Sequence, residues 1–178
     1  MDIFEQKKVL ESFKVLIDSR EQPTKRAEAR YQSFGSPYER ATLSYGDYTY
    51  NATLPDGNMI LDTSGTIDPL IAVERKMDLD ELAQCFTHSR ARFEREFERA
   101  RDHNSRIFLL VENASWENLI NGKYRSRFNA NAFKASVIAW SIRYNLQLIF
   151  CKEETSGQLI KEILYRDLKE RLEHGEFG

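Results

Sequence analysis

The stretch IAVERKMDLDEL, from Ile71 to Leu82, begins as an apolar run and ends as an acidic segment. The apolar part is typical of a buried strand, and the acidic part is typical of the first turn of a helix. Three charged residues, Glu74, Arg75 and Lys76, stand where the apolar run ends. Such charges are costly unless they are paired, solvated or used in chemistry. Because alternate residues of a strand point to the same side, we expect Glu74 and Lys76 to project together and Arg75 to project the other way.

The acidic end of this stretch opens a segment with helical periodicity. Apolar residues recur three and four positions apart from Asp78 to about Asn104, which predicts one long amphipathic helix. These residues are Leu79, Leu82, Phe86, Phe93, Phe97 and Ala100. Further along the chain, RIFLLVEN and LQLIFC are typical of buried strands. Three further helices are predicted by SWENLING, ANAFKASVIAWSIRYN and SGQLIKEILYRDLKERLEH.

The sequence before Ile71 predicts strands, one helix and turns. KVLIDSRE is typical of a buried strand, and TKRAEARYQSFG predicts a short helix capped by Thr24 and ended by Gly35. YERATLSYGDYTYNATL favours a strand, and the following Pro-Asp-Gly turn with MILD predicts an inserted hairpin at about residues 51–69. Strands that alternate with helices indicate an α/β fold, here a three-layer sandwich with a mixed central sheet flanked by helices.

Length and composition indicate one globular domain over residues 1–178, with its core at about residues 14–173. A chain of 178 residues can bury a full-sized core, and 41% hydrophobic with 30% charged residues excludes a disordered chain. The formal net charge is −2 and the pI is about 6.0. A nucleic-acid surface must therefore be a local patch rather than a property of the whole chain.

The two cysteines, Cys85 and Cys151, have no metal-type spacing, which favours a reduced, intracellular setting over a disulfide framework. The first residues contain no long apolar run, so we expect neither a signal peptide nor a membrane span. The expected location is the cytoplasm in a prokaryote or virus and the nucleus in a eukaryote.

Three acidic residues, Asp18, Asp47 and Glu74, lie at or just inside the ends of predicted strands, and Lys76 shares a strand side with Glu74. A salt bridge between Glu74 and Lys76 is one interpretation. The other is a Mg²⁺ site, because Mg²⁺ prefers carboxylate oxygens together with water and substrate phosphates. A lysine beside such an ion can orient a water or stabilise charge on a phosphate. The residues alone leave both interpretations open.

Read together, GDYTY and VERKMDLD resemble the nuclease signature of the XPF family of structure-specific endonucleases, G-D…E-R-K-x-x-x-D. The matching residues are Gly46, Asp47, Glu74, Arg75, Lys76 and Asp80. VLIDSRE resembles the family's first strand with its D-x-R-E pattern, and ARFEREFERA resembles its long helix. The resemblance covers roughly residues 14–150, and several motifs agree in order.

The resemblance implies a restriction-endonuclease-like fold and DNA cleavage that depends on Mg²⁺ or Mn²⁺. The candidate catalytic residues are Asp18, Asp47, Glu74, Arg75, Lys76 and Asp80. By the same resemblance, Asp18, Asp47 and Glu74 hold the metal and Lys76 positions the attacking water. Asp80 also fits a role at the N-terminus of a helix, where carboxylates are favourable.

Basic residues supply candidate DNA contacts. They are Arg20, Arg90, Arg92, Lys123, Arg125 and Arg127. Arg90 and Arg92 each have a glutamate four positions later, so a solvated helix face is an equal alternative. In NGKYRSRFN the basic residues alternate with Tyr124 and Phe128, which suits a DNA backbone and exposed bases, although an ordinary basic loop gives the same pattern.

The chain departs from the family pattern in two ways. It has no room for helix-hairpin-helix modules, so DNA specificity is expected from the nuclease surface or from a separate DNA-targeting protein. The separation between Asp47 and Glu74 is longer than the pattern requires, which places the inserted hairpin between them. The family also favours a homodimer, and apolar helices near residues 133–144 and 159–172 offer an interface, although packing within a monomer core is the simpler explanation of these helices.

The resemblance thus implies an endonuclease for branched or flapped DNA in repair or recombination. One alternative is a Holliday-junction resolvase or a restriction-type nuclease on the same fold. The other is a catalytically silent DNA-binding or scaffolding subunit, against which the intact acidic positions count.

Overall fold

A computed structural model describes residues 1–178, which form seven strands and seven helices. The strands are β1 (Lys14–Asp18), β2 (Tyr38–Leu43), β3 (Tyr48–Asn51), β4 (Thr66–Ile67), β5 (Ile71–Lys76), β6 (Arg106–Glu112) and β7 (Gln147–Cys151). The helices are α1 (Ile3–Glu11), α2 (Lys25–Gln32), α3 (Leu79–Phe86), α4 (Arg90–Asp102), α5 (Trp116–Ile120), α6 (Ala130–Arg143) and α7 (Glu153–Glu173). None of the helices is long and apolar enough to cross a membrane.

One mixed sheet contains all seven strands, in the order β4-β2-β1-β3-β5-β6-β7. Strand β3 is antiparallel to its neighbours β1 and β5, whereas the other pairs are parallel. Ile17 lies opposite Tyr48, and Tyr48 lies opposite Val73. The end of β1, the start of β3 and the end of β5 therefore meet at one edge of the sheet.

Two apolar cores cover the two faces of the sheet. Helices α3, α4 and α6 bury aromatic side chains, including Phe97 and Trp140, against one face. Helices α1, α2 and α7 bury residues such as Tyr31 and Leu164 against the other face. The α/β architecture with a mixed sheet flanked by helices is confirmed, and strand alternation explains it, since neighbouring residues of β5 pack into opposite cores.

The long helix predicted from Asp78 to Asn104 is wrong, because the structure contains two helices with a break at residues 87–89. Thr87 ends α3 with non-helical backbone angles, and its hydroxyl donates to the carbonyl of Ala83. A Thr hydroxyl that bonds the backbone locally competes with helix continuation. The apolar period runs through the break because both helices bury the same side.

The hairpin predicted at residues 51–69 is also wrong as a regular element. MILD forms no strand, and the segment contains one isolated bridge, between Thr53 and Met59. The buried amide of Asn51 bonds the backbone of Ala52 and Leu61 and holds the segment in place of a strand ladder. The short strand β4, which the sequence did not predict, pairs parallel with β2.

Two further elements differ from the prediction. The strand expected over residues 38–54 is divided into β2 and β3 by a turn that contains Gly46. Helix α1 precedes the first predicted element. Its signal was present, since Asp2 and Glu5 form a capping box with reciprocal side-chain bonds to the backbone.

Candidate active site

A polar cavity of about 150 Å³ lies where the ends of β1, β3 and β5 meet. Its lining residues are Asp18, Arg20, Glu21, Gly46, Asp47, Glu74, Lys76, Arg92 and Glu96. The strand order explains the grouping, because β3 separates β1 from β5 and carries Asp47 directly before its first residue. The structure thus brings together the three predicted metal-binding acids and Lys76.

A tight turn at Gly46 positions Asp47 and has no room for a larger side chain in place of the glycine. Gly46 has φ +75°, and a Cβ there would lie 2.5 Å from the Cβ of Ala72. The amide of Asp47 donates to the carbonyl of Val73 at 2.9 Å, and its carboxylate accepts from the amide of Arg75 at 2.8 Å. The Gly46–Asp47 pair is therefore locked against β5, beside Glu74.

Glu74 and Lys76 project from the same side of β5 and form a buried ion pair, as the strand period predicts. Only 6% of Glu74 and 9% of Lys76 is exposed. The Lys76 ammonium also lies 5.3 Å from the centre of the Phe93 ring. A buried carboxylate and ammonium can compensate each other, so this contact agrees with the salt-bridge interpretation as well as with a catalytic one.

The surroundings of the cavity shift the pKa of both members of this pair. Burial, followed by repulsion from Asp47, raises the pKa of Glu74, although Lys76 opposes the change. Burial alone would lower the pKa of Lys76, but the carboxylates of Glu74 and Asp47 outweigh it and raise that pKa. The lysine therefore carries its proton, whereas burial and Asp47 disfavour the ionised form of Glu74.

Asp18 has protein partners for both carboxylate oxygens. One oxygen accepts from the Nε of Arg20 at 2.5 Å, and the other accepts from the amide of Leu43 at 3.3 Å. Arg20 also donates to the carbonyl of Leu43 at 3.1 Å. These bonds hold Asp18 at the wall of the cavity and place the Arg20 guanidinium at its rim.

The donor chemistry of the cavity fits Mg²⁺ or Mn²⁺. As the side chains stand, no three His, Cys, Asp or Glu residues are grouped closely enough to enclose a metal ion. Mg²⁺ usually takes one or two carboxylates and completes its shell with water and phosphate oxygens. Asp47 and Glu74 provide two carboxylates near enough for Asp47 to raise the pKa of Glu74.

Arg75 lies outside the cavity, although it was a candidate catalytic residue. It points to the opposite face of the sheet, where it donates to Glu112 at 3.1 Å and lies 3.7 Å from Glu21. Buried Arg30 contacts the other oxygen of Glu112 at 3.2 Å and donates to Tyr48. The strand alternation places Arg75 in this buried charge network rather than beside Lys76.

Asp80 also lies outside the cavity. Its carboxylate accepts from the amides of Arg125 and Ser126 at 2.7 and 2.6 Å and from the Nε of Arg125 at 2.9 Å. Asp78, two residues earlier, caps α3 through the amide of Glu81. The helix-cap role expected for Asp80 therefore belongs to Asp78.

Helix α4 contributes two residues to the cavity, Arg92 and Glu96, which face each other at 3.6 Å. Arg90 does not line it. The sequence indicated the pairing of Arg92 with Glu96 by their four-residue spacing, but it gave no sign that Glu96 reaches the site. That contact depends on where α4 begins after the break at residues 87–89.

A second cavity of about 230 Å³ continues the first one toward α3 and α4. The two cavities share Glu74, Lys76, Arg92 and Glu96. Its wall includes Cys85, whose pKa burial raises to about 11, so the thiol stays protonated at neutral pH. Glu74 and Lys76 thus stand in the middle of one continuous groove.

The basic loop, residues 123–127, lies next to the N-terminus of α3. Lys123, Arg125 and Arg127 are exposed, whereas Tyr124 and Phe128 pack against Phe133 with ring centres 5.4 and 5.2 Å apart. Both rings are partly buried, so less of each ring is available for contact with exposed bases. Tyr124 and Phe128 pack against the core, and the basic side chains between them point outward.

Comparison with known proteins places the chain in a family. The family model described as the ERCC4 domain matches residues 17–163. No curated protein sequence matches the chain at a significant level. Among solved structures, XPF from Aeropyrum pernix matches with a TM-score of 0.59 and 19% identity, over 92% of this chain and 69% of that chain.

A second structure, of XPF from Aeropyrum pernix in complex with DNA, matches with a TM-score of 0.58 and 21% identity. The match covers 88% of this chain and 65% of that chain. At this identity the likeness shows a shared fold. Together with the family match over most of the chain, it supports the interpretation of the sequence motifs: the chain belongs to the ERCC4 domain family, the family of XPF-type nuclease domains.

Proposed function

We propose that this chain is a Mg²⁺- or Mn²⁺-dependent DNA endonuclease that cuts branched or flapped DNA. The observation that supports the proposal best is the meeting of Asp47, Glu74 and Lys76 in one polar cavity, with Asp18 at its wall. Three adjacent strands contribute these residues, as expected for a site that the fold itself organises. Membership of the ERCC4 domain family supplies the reaction class.

In this proposal Asp47 and Glu74 hold the metal ion, and Asp18 completes or orients the site. When bound, the ion supplies an activated water and neutralises charge on the phosphate under attack. The locked turn at Gly46 fixes the Asp47 carboxylate before substrate arrives. Such preorganisation reduces the reorganisation that the reaction would otherwise require.

Lys76 acts as a donor in this proposal. Because nearby carboxylates raise its pKa, its ammonium can donate to a water or to a phosphate oxygen but cannot accept a proton. Its ion pair with Glu74 then serves to hold the ammonium in the groove. The salt bridge and the catalytic role are then compatible, because the salt bridge positions the ammonium that catalysis uses.

DNA is the substrate we propose because two arginines line the groove and a basic loop presents three further cations, in a chain whose net charge is −2. Arg20 and Arg92 lie at the cavity, and the basic loop presents Lys123, Arg125 and Arg127 nearby. A similar fold, in XPF from Aeropyrum pernix, has been solved in complex with DNA. Arginine suits phosphate contacts since its planar fork binds two oxygens together.

Cleavage of a panel of labelled DNAs tests the proposed substrate. Flaps, forks, four-way junctions and plain duplex are incubated with the protein, with and without Mg²⁺ or Mn²⁺. We expect metal-dependent cutting of flaps and forks, with duplex cut much more slowly. Preference for four-way junctions would favour a resolvase, and cutting of duplex at fixed sequences would favour a restriction-type enzyme. Binding without cutting would indicate a silent subunit.

We also propose a homodimer and, for targeting, a separate DNA-binding protein. Exposed Ile138 and Ile142 on α6 support the dimer, because they leave apolar surface in water. Light scattering across protein concentrations measures the oligomeric state. A monomer at every concentration would contradict the dimer.

A further inference from the structure

Asp80 makes more bonds to the basic loop than to its own helix. Both backbone amides at Arg125 and Ser126 and the Arg125 guanidinium donate to its carboxylate. These three bonds satisfy the carboxylate, whose side chain is only 19% exposed. Burial alone would raise the pKa of Asp80, but the bonds from Arg125 and Ser126 outweigh burial and lower it.

The helix does not need Asp80 as a cap. Asp78 already occupies the N-cap position and accepts from the amide of Glu81 at 2.8 Å. Asp78 also lies 3.6 Å from the Nη2 of Arg125, so two aspartates of the same turn flank one guanidinium. The ordinary explanation for an acid at this position, stabilisation of the helix N-terminus, therefore accounts for Asp78 and leaves Asp80 to the loop.

The loop that Asp80 holds is a bent segment with two sides. Tyr124 and Phe128 point inward, the Tyr124 hydroxyl donates to the carbonyl of Phe128, and the basic residues point outward. The Arg125 side chain remains 84% exposed although its Nε is bonded to Asp80 and its Nη2 lies 3.6 Å from Asp78.

We propose that Asp80 is a positioning residue that fixes the basic loop as a binding surface for the DNA phosphate backbone. This inference rests on the proposed function and deepens it. Asp80 stands four residues after Lys76, in the first turn of the helix that follows β5. Strand β5 and the first turn of α3 thus carry both the groove residues and Asp80, which holds the basic loop. The distance between the groove and the loop is therefore fixed.

The charges of the basic loop favour DNA over a protein partner. The outward row contains three cations and no acid, and the two acids beneath it are occupied by Arg125. The loop also lacks outward apolar residues that a protein interface would bury. Exposed cations on a loop whose backbone is bonded to Asp80 suit binding to a polyphosphate.

Asp80→Ala should release the loop without removing a group from the groove. We expect affinity for a flapped DNA, measured without divalent metal, to fall about 5- to 20-fold, with a salt slope lower by roughly one to two units. The single-turnover cleavage rate at saturating DNA should remain within about 3-fold, because no transition-state contact is lost. Asp80→Asn keeps acceptors for the two amides and should fall between the two proteins.

Limited trypsin digestion reports the loop position without DNA or metal. Trypsin cuts after Arg125 and Arg127, and we expect cleavage there to be at least about 10-fold faster in Asp80→Ala, as exposed, unanchored backbone opens more often. Asp102→Ala removes an exposed acid at the C-terminal end of α4, is the matched control and should leave both measurements unchanged. Thermal melting confirms that each variant is folded. If Asp80→Ala is not folded, Asp80→Asn replaces it in both measurements.

The outcomes separate this inference from the proposed function. Unchanged DNA affinity and unchanged trypsin cleavage in a folded Asp80 variant would overturn the proposed positioning role of Asp80. The proposed function would be unaffected if the wild-type protein cuts DNA. A large loss of cleavage rate at saturating DNA with unchanged affinity would make Asp80 catalytic and also overturn it. If the wild-type protein neither binds nor cuts DNA, the proposed function fails, and the DNA role of the loop fails with it.

Discussion

Lys76 shows how one residue can satisfy two interpretations of the same sequence. Its ammonium pairs with Glu74, faces the ring of Phe93 and lies in the middle of the groove. The strand period predicted that Glu74 and Lys76 share a side. It could not predict that Asp47 would lie beside them, because that contact depends on the position of β3 between β1 and β5.

Substitution of Lys76 by Met separates catalysis from structure. Lys76→Met keeps the apolar stem over Phe93 and removes the ammonium, so we expect the cleavage rate to fall roughly 10²-fold or more. Affinity for Mg²⁺ should stay equal or rise, since a positive charge leaves a carboxylate cluster. Thermal melts, metal titration and single-turnover cleavage are measured on one sample. A stable variant that binds metal and cuts at the wild-type rate would exclude the catalytic role.

Glu112 is the buried acid on which two arginines depend. Glu112→Gln leaves Arg30 and Arg75 with an uncompensated buried charge, so we expect the free energy of unfolding to fall by about 3 kcal/mol or more. Urea denaturation measures the loss. The exposed pair Lys7–Glu11 supplies the control, because Glu11→Gln should change stability by less than about 0.5 kcal/mol. Equal effects of the two substitutions would contradict the role given to the buried network.

At the scale of elements, periodicity predicted most strands and helices but not their interruptions. The apolar period passes through the break between α3 and α4 because both helices cover the same face of the sheet. The break follows from the local bond that the Thr87 hydroxyl makes to the backbone. Whether such a bond ends a helix depends on the packing around it, which the sequence does not show. The segment between β3 and β5 does not form the predicted hairpin, because the buried amide of Asn51 bonds its backbone in place of a strand ladder.

The basic loop carries the prediction that belongs to this scale. Arg125→Ala combined with Arg127→Ala removes two outward cations, so the slope of log affinity against log salt should decrease by about one to two units, near 0.9 for each lost phosphate contact. Affinity is measured by fluorescence anisotropy in a salt series. Arg166→Ala on α7 is the control, because its exposed guanidinium lies on another helix and pairs with Glu162. A slope that the loop variant leaves unchanged would move the DNA path elsewhere.

Across the whole molecule, the fold class and the central site were predictable, and the long-range partners were not. The alternation of strands and helices predicted the sandwich, and the ordered motifs predicted the acids of the groove. Arg30 and Glu112 are 82 positions apart in sequence, and Asp80 and Arg125 are 45 apart. No local pattern marks such pairs, since they form only when the sheet order brings separate elements together.

Metal-dependent cleavage of a flapped DNA is the measurement that tests the central claim most directly. Wild type, Asp47→Ala and Glu74→Ala are compared under single-turnover conditions with saturating DNA, with Mg²⁺ and with EDTA. We expect wild type to cut only with the metal and both variants to lose at least about 10³-fold in rate while they remain folded. Wild-type cutting in EDTA, or a folded variant that cuts at the wild-type rate, would contradict the account.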